Sequence, residues 1–299
     1  MNKYILIAMF LFLFASCEDV IQVEVRSQEQ GLYSIEAKIT TESEPWVFVT
    51  KTLGVTIDQP YAEISNLIVT LSDDVQPSNS IVLVEDANRK GYYTVPQNED
   101  FYGVSGRTYT LTLLTPEGMT ITSTETLNPV EPIDSIQIKP SERGDKLFLA
   151  IFTFGKETPG PGNYYKWDIY INDTLLHIDN AEYLAYASDE LVDGNYISGL
   201  EILTDFHDPN KESERVLRYL DTVYVQQTST SEFAYNYYLQ MTNQASVGGL
   251  FSVPPANIPG NFTSSDGKEV VGLFTAHDIS TSNTVVIDST IEVLLTKIK

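Results

Sequence analysis

Polar and apolar residues alternate with period two along most of this chain, in short runs separated by Gly, Pro, Asn and Asp. Between residues 31 and 128 the runs cover 32–40, 46–53, 66–72, 81–85, 91–95, 107–114 and 119–126. In Tyr109-Thr110-Leu111-Thr112-Leu113 one face is apolar and the other carries threonine, the pattern of a half-buried strand. Thr115-Pro116-Glu117-Gly118 follows as a turn, since proline pre-sets φ and glycine takes positive φ at no steric cost. Seven such strands in about a hundred residues predict an immunoglobulin-like β-sandwich over 31–128.

Asn128-Pro129-Val130-Glu131-Pro132 reads as a linker, because its two prolines withdraw backbone donors. Beyond it, β-like runs at 133–139, 146–154, 164–171, 215–227, 268–276, 283–288 and 291–299 predict a second, β-rich domain over 129–299. One segment departs from this pattern. Residues 231–246 lack Pro and Gly and space Phe233, Tyr237, Tyr238 and Met241 as a helix does. Thr230 or Ser231 can cap its start and Gly248-Gly249 its end. Its aromatic stripe is expected to face the core, and the proline-rich 253–261 is expected to be irregular. The predicted fold is mainly β: an N-terminal immunoglobulin-like β-sandwich followed by a second β-rich domain carrying one amphipathic helix.

The first residues follow another logic. Lys3 precedes an unbroken apolar run over 4–14, too short for a bilayer core that needs about 20 residues. It has the length of a secretory signal's apolar region, which makes 1–16 a signal peptide. The run closes on Phe14-Ala15-Ser16-Cys17 and resembles a bacterial lipobox, with Phe14 where leucine is preferred. Cleavage would leave Cys17 lipidated at the head of a tether over 17–30. Three acyl chains exceed the two signals that stable anchoring takes. Glu18 and Asp19 resemble the surface-export signal of Bacteroidota lipoproteins. The expected location is the outer membrane, lipid-anchored, on its outer face, with the periplasmic face as the alternative. No later run reaches the length of a membrane span.

Charge narrows the partners. With 18 Lys and Arg against 41 Asp and Glu, the net charge of −23 repels phosphate backbones, so nucleic acid is not an expected partner. One cysteine allows no internal disulfide, and three histidines leave little for a metal cage. Two of these, in His207-Asp208 and His277-Asp278, stand beside an acid that could orient an imidazole. Neighbours on a strand point to opposite faces, however, and His177 has no such partner. No nucleophile elbow, zinc-protease motif, phosphate loop or dinucleotide fingerprint occurs. The chain therefore reads as non-enzymatic, with no cofactor.

Acid clusters at Asp73-Asp74, Asp189-Glu190-Asp193 and Asp205-Asp208 follow from composition. Asp189 and Asp193 before Gly194 fall short of an EF-hand loop, although adventitious calcium at such a loop stays open. Tyrosine pairs at 92–93, 164–165 and 237–238 offer rings for contact with glycan or protein, while strand geometry sends one ring of a pair inward. Asp-Ser/Thr-apolar steps at 134–136, 173–175, 221–223 and 288–290 resemble the O-glycosylation acceptor of exported Bacteroidota proteins. They make Ser135, Thr174, Thr222 and Ser289 candidate modification sites.

Three further motifs stand in order along the chain: Gly103-Val104-Ser105-Gly106-Arg107-Thr108-Tyr109-Thr110-Leu111, Pro132-Ile133-Asp134-Ser135, and Gly162-Asn163-Tyr164-Tyr165-Lys166-Trp167. With Pro255-Ala256-Asn257-Ile258-Pro259-Gly260-Asn261 and Val271-Gly272-Leu273-Phe274, the set resembles the Bacteroidota outer-membrane lipoproteins grouped as domain of unknown function 4249. That resemblance implies a SusC-like TonB-dependent receptor as partner and no catalytic residues. The expected role is a non-enzymatic accessory of that transporter, in ligand capture, substrate handling or complex assembly. A stand-alone surface adhesin or glycan- or protein-binding module is the alternative. A glycan hydrolase would need two facing carboxylates in one cleft.

Overall fold

The structure is a computed structural model that describes residues 31–53, 62–143, 146–176, 185–206, 217–245 and 258–295. The first half contributes β1 (Tyr33–Thr40), β2 (Trp46–Lys51), β3 (Ala62–Glu63), β4 (Ile68–Asp73), β5 (Ser80–Asp86), β6 (Arg89–Thr94), β7 (Thr108–Leu114) and β8 (Thr120–Thr126). The alternation read from the sequence holds. On β7, Tyr109, Leu111 and Leu113 are buried in one core with Ile35, Val49, Leu71 and Ile121. The outward threonines of β7 and β8 pair across the ladder, Thr108 with Thr126 at 3.0 Å and Thr110 with Thr124 at 3.3 Å.

The motif around Tyr109 builds a corner. Gly106 takes φ of 83° and its N–H donates to Leu127 O at 2.8 Å. Gly103 lies so close to the chain that an added Cβ would stand 2.4 Å from Leu127 Cδ1 and 2.9 Å from Thr40 O. The Tyr109 hydroxyl then accepts the Val104 N–H at 2.8 Å. Arg107 donates from Nη1 to Asp73 Oδ2 at 2.7 Å, and Asp73 Oδ1 also accepts the Asn79 N–H at 2.8 Å. The carboxylate of Asp73 is fully buried and Arg107 is about a third exposed. Asp73→Ala would leave backbone donors and a guanidinium unmet. We expect a loss of about 2 kcal/mol, read as a lower urea midpoint at unchanged slope.

The second half holds β9 (Ile133–Arg143), β10 (Lys146–Lys156), β11 (Tyr164–Ile171), β12 (Thr174–Leu175), β13 (Ala185–Ser188), β14 (Tyr196–Phe206), β15 (Thr222–Thr230) and α1 (Glu232–Ala245). After these come β16 (Thr263–Ser264), β17 (Val270–His277), β18 (Ile279–Thr281), β19 (Val285–Val286) and α2 (Ser289–Leu295). A sheet ordered β14-β10-β9 and another ordered β12-β11-β15-β18, with β13 on β11 and β19 on β15, share a second core around Ile136, Leu149, Ile151, Trp167 and Val225.

Two late strands leave this half and complete the first sheet, whose order is β16-β8-β7-β4-β5-β6-β2-β1-β17. Here β17 runs parallel to β1, from Tyr33 opposite Val270 to Thr40 opposite His277. The chain then crosses at Asp278 into β18 of the other sheet. Asp278 Oδ1 accepts the Thr41 hydroxyl at 3.0 Å and Oδ2 accepts the Val130 N–H at 3.1 Å. Its own N–H donates to Ser229 Oγ, which in turn donates to Asn128 O. The expected linker over 128–132 is thus pinned at a joint between the two cores.

Two expectations change, and one strand was not expected. Residues 291–299 were expected as a strand, but the chain enters a helix at Ser289, because Asp288 Oδ1 caps it by accepting the Thr290 and Ile291 N–H groups at 2.9 and 3.0 Å. Of the 215–227 run, the described residues start at Leu217, which packs into the core, and strand begins at Thr222. Strand β14 had no clear alternation, since Gly199 at φ of 94° and several register shifts against β10 break it.

Candidate functional site

Helix α1 begins as expected, with Ser231 Oγ accepting the Ala234 N–H at 3.1 Å. Only part of the expected stripe faces inward. Phe233 and Met241 are 41% and 40% exposed, whereas Ala234 is buried. The small Ala234 lets the helix approach closely, and Tyr235 and Tyr238 on that side pack onto Tyr164 and Tyr186, with centroids 4.9 and 5.0 Å apart. An open groove of about 700 Å³ runs along the other side, lined by Phe233, Asn236, Tyr237, Gln240 and Pro259 among others.

The strand tyrosine pairs divide as expected. Tyr93 is buried with its hydroxyl accepting the Leu67 N–H at 3.1 Å, while Tyr92 turns outward. There it stacks on Trp46 at 5.9 Å, and the Arg89 guanidinium lies 4.2 Å above its ring and 4.7 Å above that of Phe48. Tyr165 is buried and donates to Glu157 Oε1 at 2.5 Å, which with burial pushes its pKa well up. Tyr164 takes the outer position against α1.

Glu157, Asp189 and Asp193 are drawn together, their carboxylate oxygens within 4.8 Å of one another. Glu157 was missed in the sequence, lying more than thirty positions before its partners. Asp189 accepts the Gly162 and Asn163 N–H groups, Asp193 accepts that of Gly160 at 2.8 Å, and Glu157 Oε2 accepts that of Gly194 at 2.5 Å. These bonds lock the glycine-proline loop at 157–163 against the turn at 189–195. Leu191, at the tip of that turn, is 94% exposed. The Gly162-Asn163 motif is one side of this lock, so it serves architecture.

His277 is buried, and its Nδ1 lies 2.5 Å from Ser229 O, which fixes Nδ1–H as the donor of the neutral ring. Asp278 beside it bonds elsewhere, as the strand geometry predicted. Asp73 belongs to the corner and Asp74 accepts the Thr108 N–H. His177, His207, Asp208, Cys17, Glu18 and Asp19 lie outside the described residues. Among the candidate glycosylation residues, Thr174 and Ser289 are exposed, and Ser135 and Thr222 are half-buried. Thr174 directly follows a two-residue turn in which Asn172 and Asp173 both take positive φ.

Glu125, on β8, is buried. It accepts from Asn261 Nδ2 at 2.7 Å, and burial holds its pKa above the usual carboxylate range. Asn261 also bonds both backbone groups of Phe274. That side chain is the physical content of the Gly260-Asn261 and Val271–Phe274 motifs.

Two β cores joined by a shared C-terminal ribbon define a mainly β, sandwich-like protein whose recurring motifs serve its architecture. The chain belongs to the family described as Domain of unknown function (DUF4249), which matches residues 18–283. No curated protein matches it. Among solved structures it is similar to murine CEACAM1b at 9% identity, over 86% of this chain and 98% of that one, with a TM-score of 0.19, too low to carry an argument. No helix among the described residues is long and apolar enough to cross a membrane.

Proposed function

We propose that this protein is an outer-membrane lipoprotein, anchored through Cys17, that serves without catalysis as accessory to a TonB-dependent transporter. The observation that carries the anchor is one of position. The family match opens at residue 18, directly after the lone cysteine that closes the lipobox-like run. The anchor is tested by Cys17→Ala. The native protein should take up labelled palmitate and sediment with outer membranes, and the variant should do neither. A variant that stays membrane-bound would refute the lipid anchor.

The pinned joint at Asp278 and the locked loops around Asp189 support a rigid body that can dock without ordering cost. Leu191 and the groove along α1 are apolar surface available to a partner. The adhesin reading draws on the Trp46, Tyr92 and Arg89 stack on the outer sheet face. Binding of whole cells to glycan arrays, lost in Trp46→Ala and independent of any receptor, would favour it.

A further inference from the structure

One outer face of the sandwich carries no charge. The outward positions of β4, β7 and β8, and of β5 from Ser80 to Val84, are all Thr, Ser, Ile, Val or Leu. The chain as a whole has 18 Lys and Arg and 41 Asp and Glu. The face is graded along its strands. Towards one end threonines close on one another, Thr108 on Thr126 and Thr110 on Thr124, and further along Thr122 meets Thr263 at 2.9 Å. The other end is aliphatic. Ile68 stands opposite Leu114 across β4 and β7, and on β5 Val82 stands opposite Thr70 with Val84 one outward step further. These four aliphatic side chains are between 38% and 56% exposed. Single exposed apolar residues are ordinary, but neighbours in register make a patch that marks an interaction surface.

The chain enters the sandwich at this same end. The Gly31 N–H donates to Thr52 O at 3.0 Å. Two residues on, the Tyr33 hydroxyl donates at 3.3 Å to Glu117, in the turn that follows Leu114. Lys51 Nζ lies 3.2 Å from the centroid of the Tyr33 ring. Nearby acids are engaged: Asp266 pairs with Lys268, and Glu85 accepts the Asn66 and Gly91 N–H groups. Residues 17–30 can reach at most about 50 Å, so a lipid on Cys17 holds this end close to its membrane.

We propose that the aliphatic end of this face rests on the lipid bilayer, with Ile68, Val82, Val84 and Leu114 at the upper acyl level and the threonine rows leading out through the headgroups. Aliphatic side chains partition into that layer, and a tyrosine ring and lysine stems suit its boundary. An uncharged face meets none of the desolvation cost that an acid-bearing face meets there. The tether keeps the effective concentration high, so a weak contact suffices. A second copy fits less well. Four strands of about six residues make a face on the order of 400 Å², so two copies would bury about 800 Å², short of the roughly 1,200 Å² of a stable interface. The inference rests on the Cys17 anchor proposed above, and its test separates the two.

The only cysteine, Cys17, is acylated in that reading, so one introduced cysteine takes a thiol-reactive nitrobenzoxadiazole label alone. The full lipidated chain carrying Ile68→Cys, or Val84→Cys as an independent second reading, is reconstituted into phosphatidylcholine vesicles with a minor share of phosphatidylglycerol. Label emission should shift to the blue and fall severalfold when nitroxide-bearing phosphatidylcholine replaces part of the lipid. A label at Val104→Cys, exposed at the opposite end of β7, should do neither. Val82→Glu should return the Ile68→Cys label to an aqueous spectrum while the protein still floats with the vesicles. Protein that floats with an unquenched label would overturn the proposal and leave the anchor standing. A blue shift that grows with protein density without nitroxide quenching would assign the face to a second copy and overturn it too, as would equal quenching at Val104→Cys. Protein that does not float would overturn the anchor and this inference with it.

Discussion

Gly272→Ala is expected to unfold the sandwich under conditions where the native protein is fully folded. Gly272 takes φ of 109°, where an L side chain is strained. A Cβ there would stand 2.0 Å from Ile35 O, an atom of the parallel ladder that joins β17 to β1. Backbone on the other side allows no retreat, because Gly260 packs against Gly272 so tightly that its own added Cβ would lie 2.3 Å from Gly272 O. Strain and a broken ladder together are expected to cost about 4 kcal/mol or more, a large share of the 5–15 kcal/mol that holds a typical domain. Thermal unfolding followed by near-ultraviolet circular dichroism reads the effect. A variant melting within about 3 °C of the native protein would show that β17 is not an integral strand of the first sheet.

The second large effect is acid-dependent. Burial depresses the pKa of His277 from 6.5 to about 4, against an opposing pull from the Ser229 carbonyl, with Lys166 and Lys38 adding to the depression and Asp168 countering it. The unfolded chain therefore binds a proton that the folded chain refuses between those values. Stability from the neutral ring is fully present above about pH 6.5 and lost as pH falls towards 4, a loss of about 3 kcal/mol. His277→Gln should flatten that part of the stability curve, whatever it costs at neutral pH. An unchanged slope between pH 6.5 and 4 would place the acid sensitivity elsewhere.

What the sequence disclosed, and what it did not, divides by range. Strands such as β7 and β8 were legible because their alternation and the Thr115–Gly118 turn are local. The return of β17 to β1 was not, since parallel pairing over more than two hundred residues leaves no local trace. The outer position of Phe233 was hidden because helical spacing alone does not say which stripe faces inward, and the small Ala234 decides it. Glu157 was invisible for the same reason as β17, its partners being supplied by a distant loop. The Gly103-x-x-Gly106-x-x-Tyr109 motif was visible as a pattern, but its purpose emerges only from the Thr40 and Leu127 contacts around it.

The transporter partnership is tested most directly by purifying the tagged, lipidated protein from native outer membranes in mild detergent and identifying what accompanies it by mass spectrometry. A TonB-dependent receptor is expected in near-equal amount, retained through size-exclusion chromatography. Recovery of the lipoprotein alone, from membranes in which such receptors are abundant, would contradict the partnership.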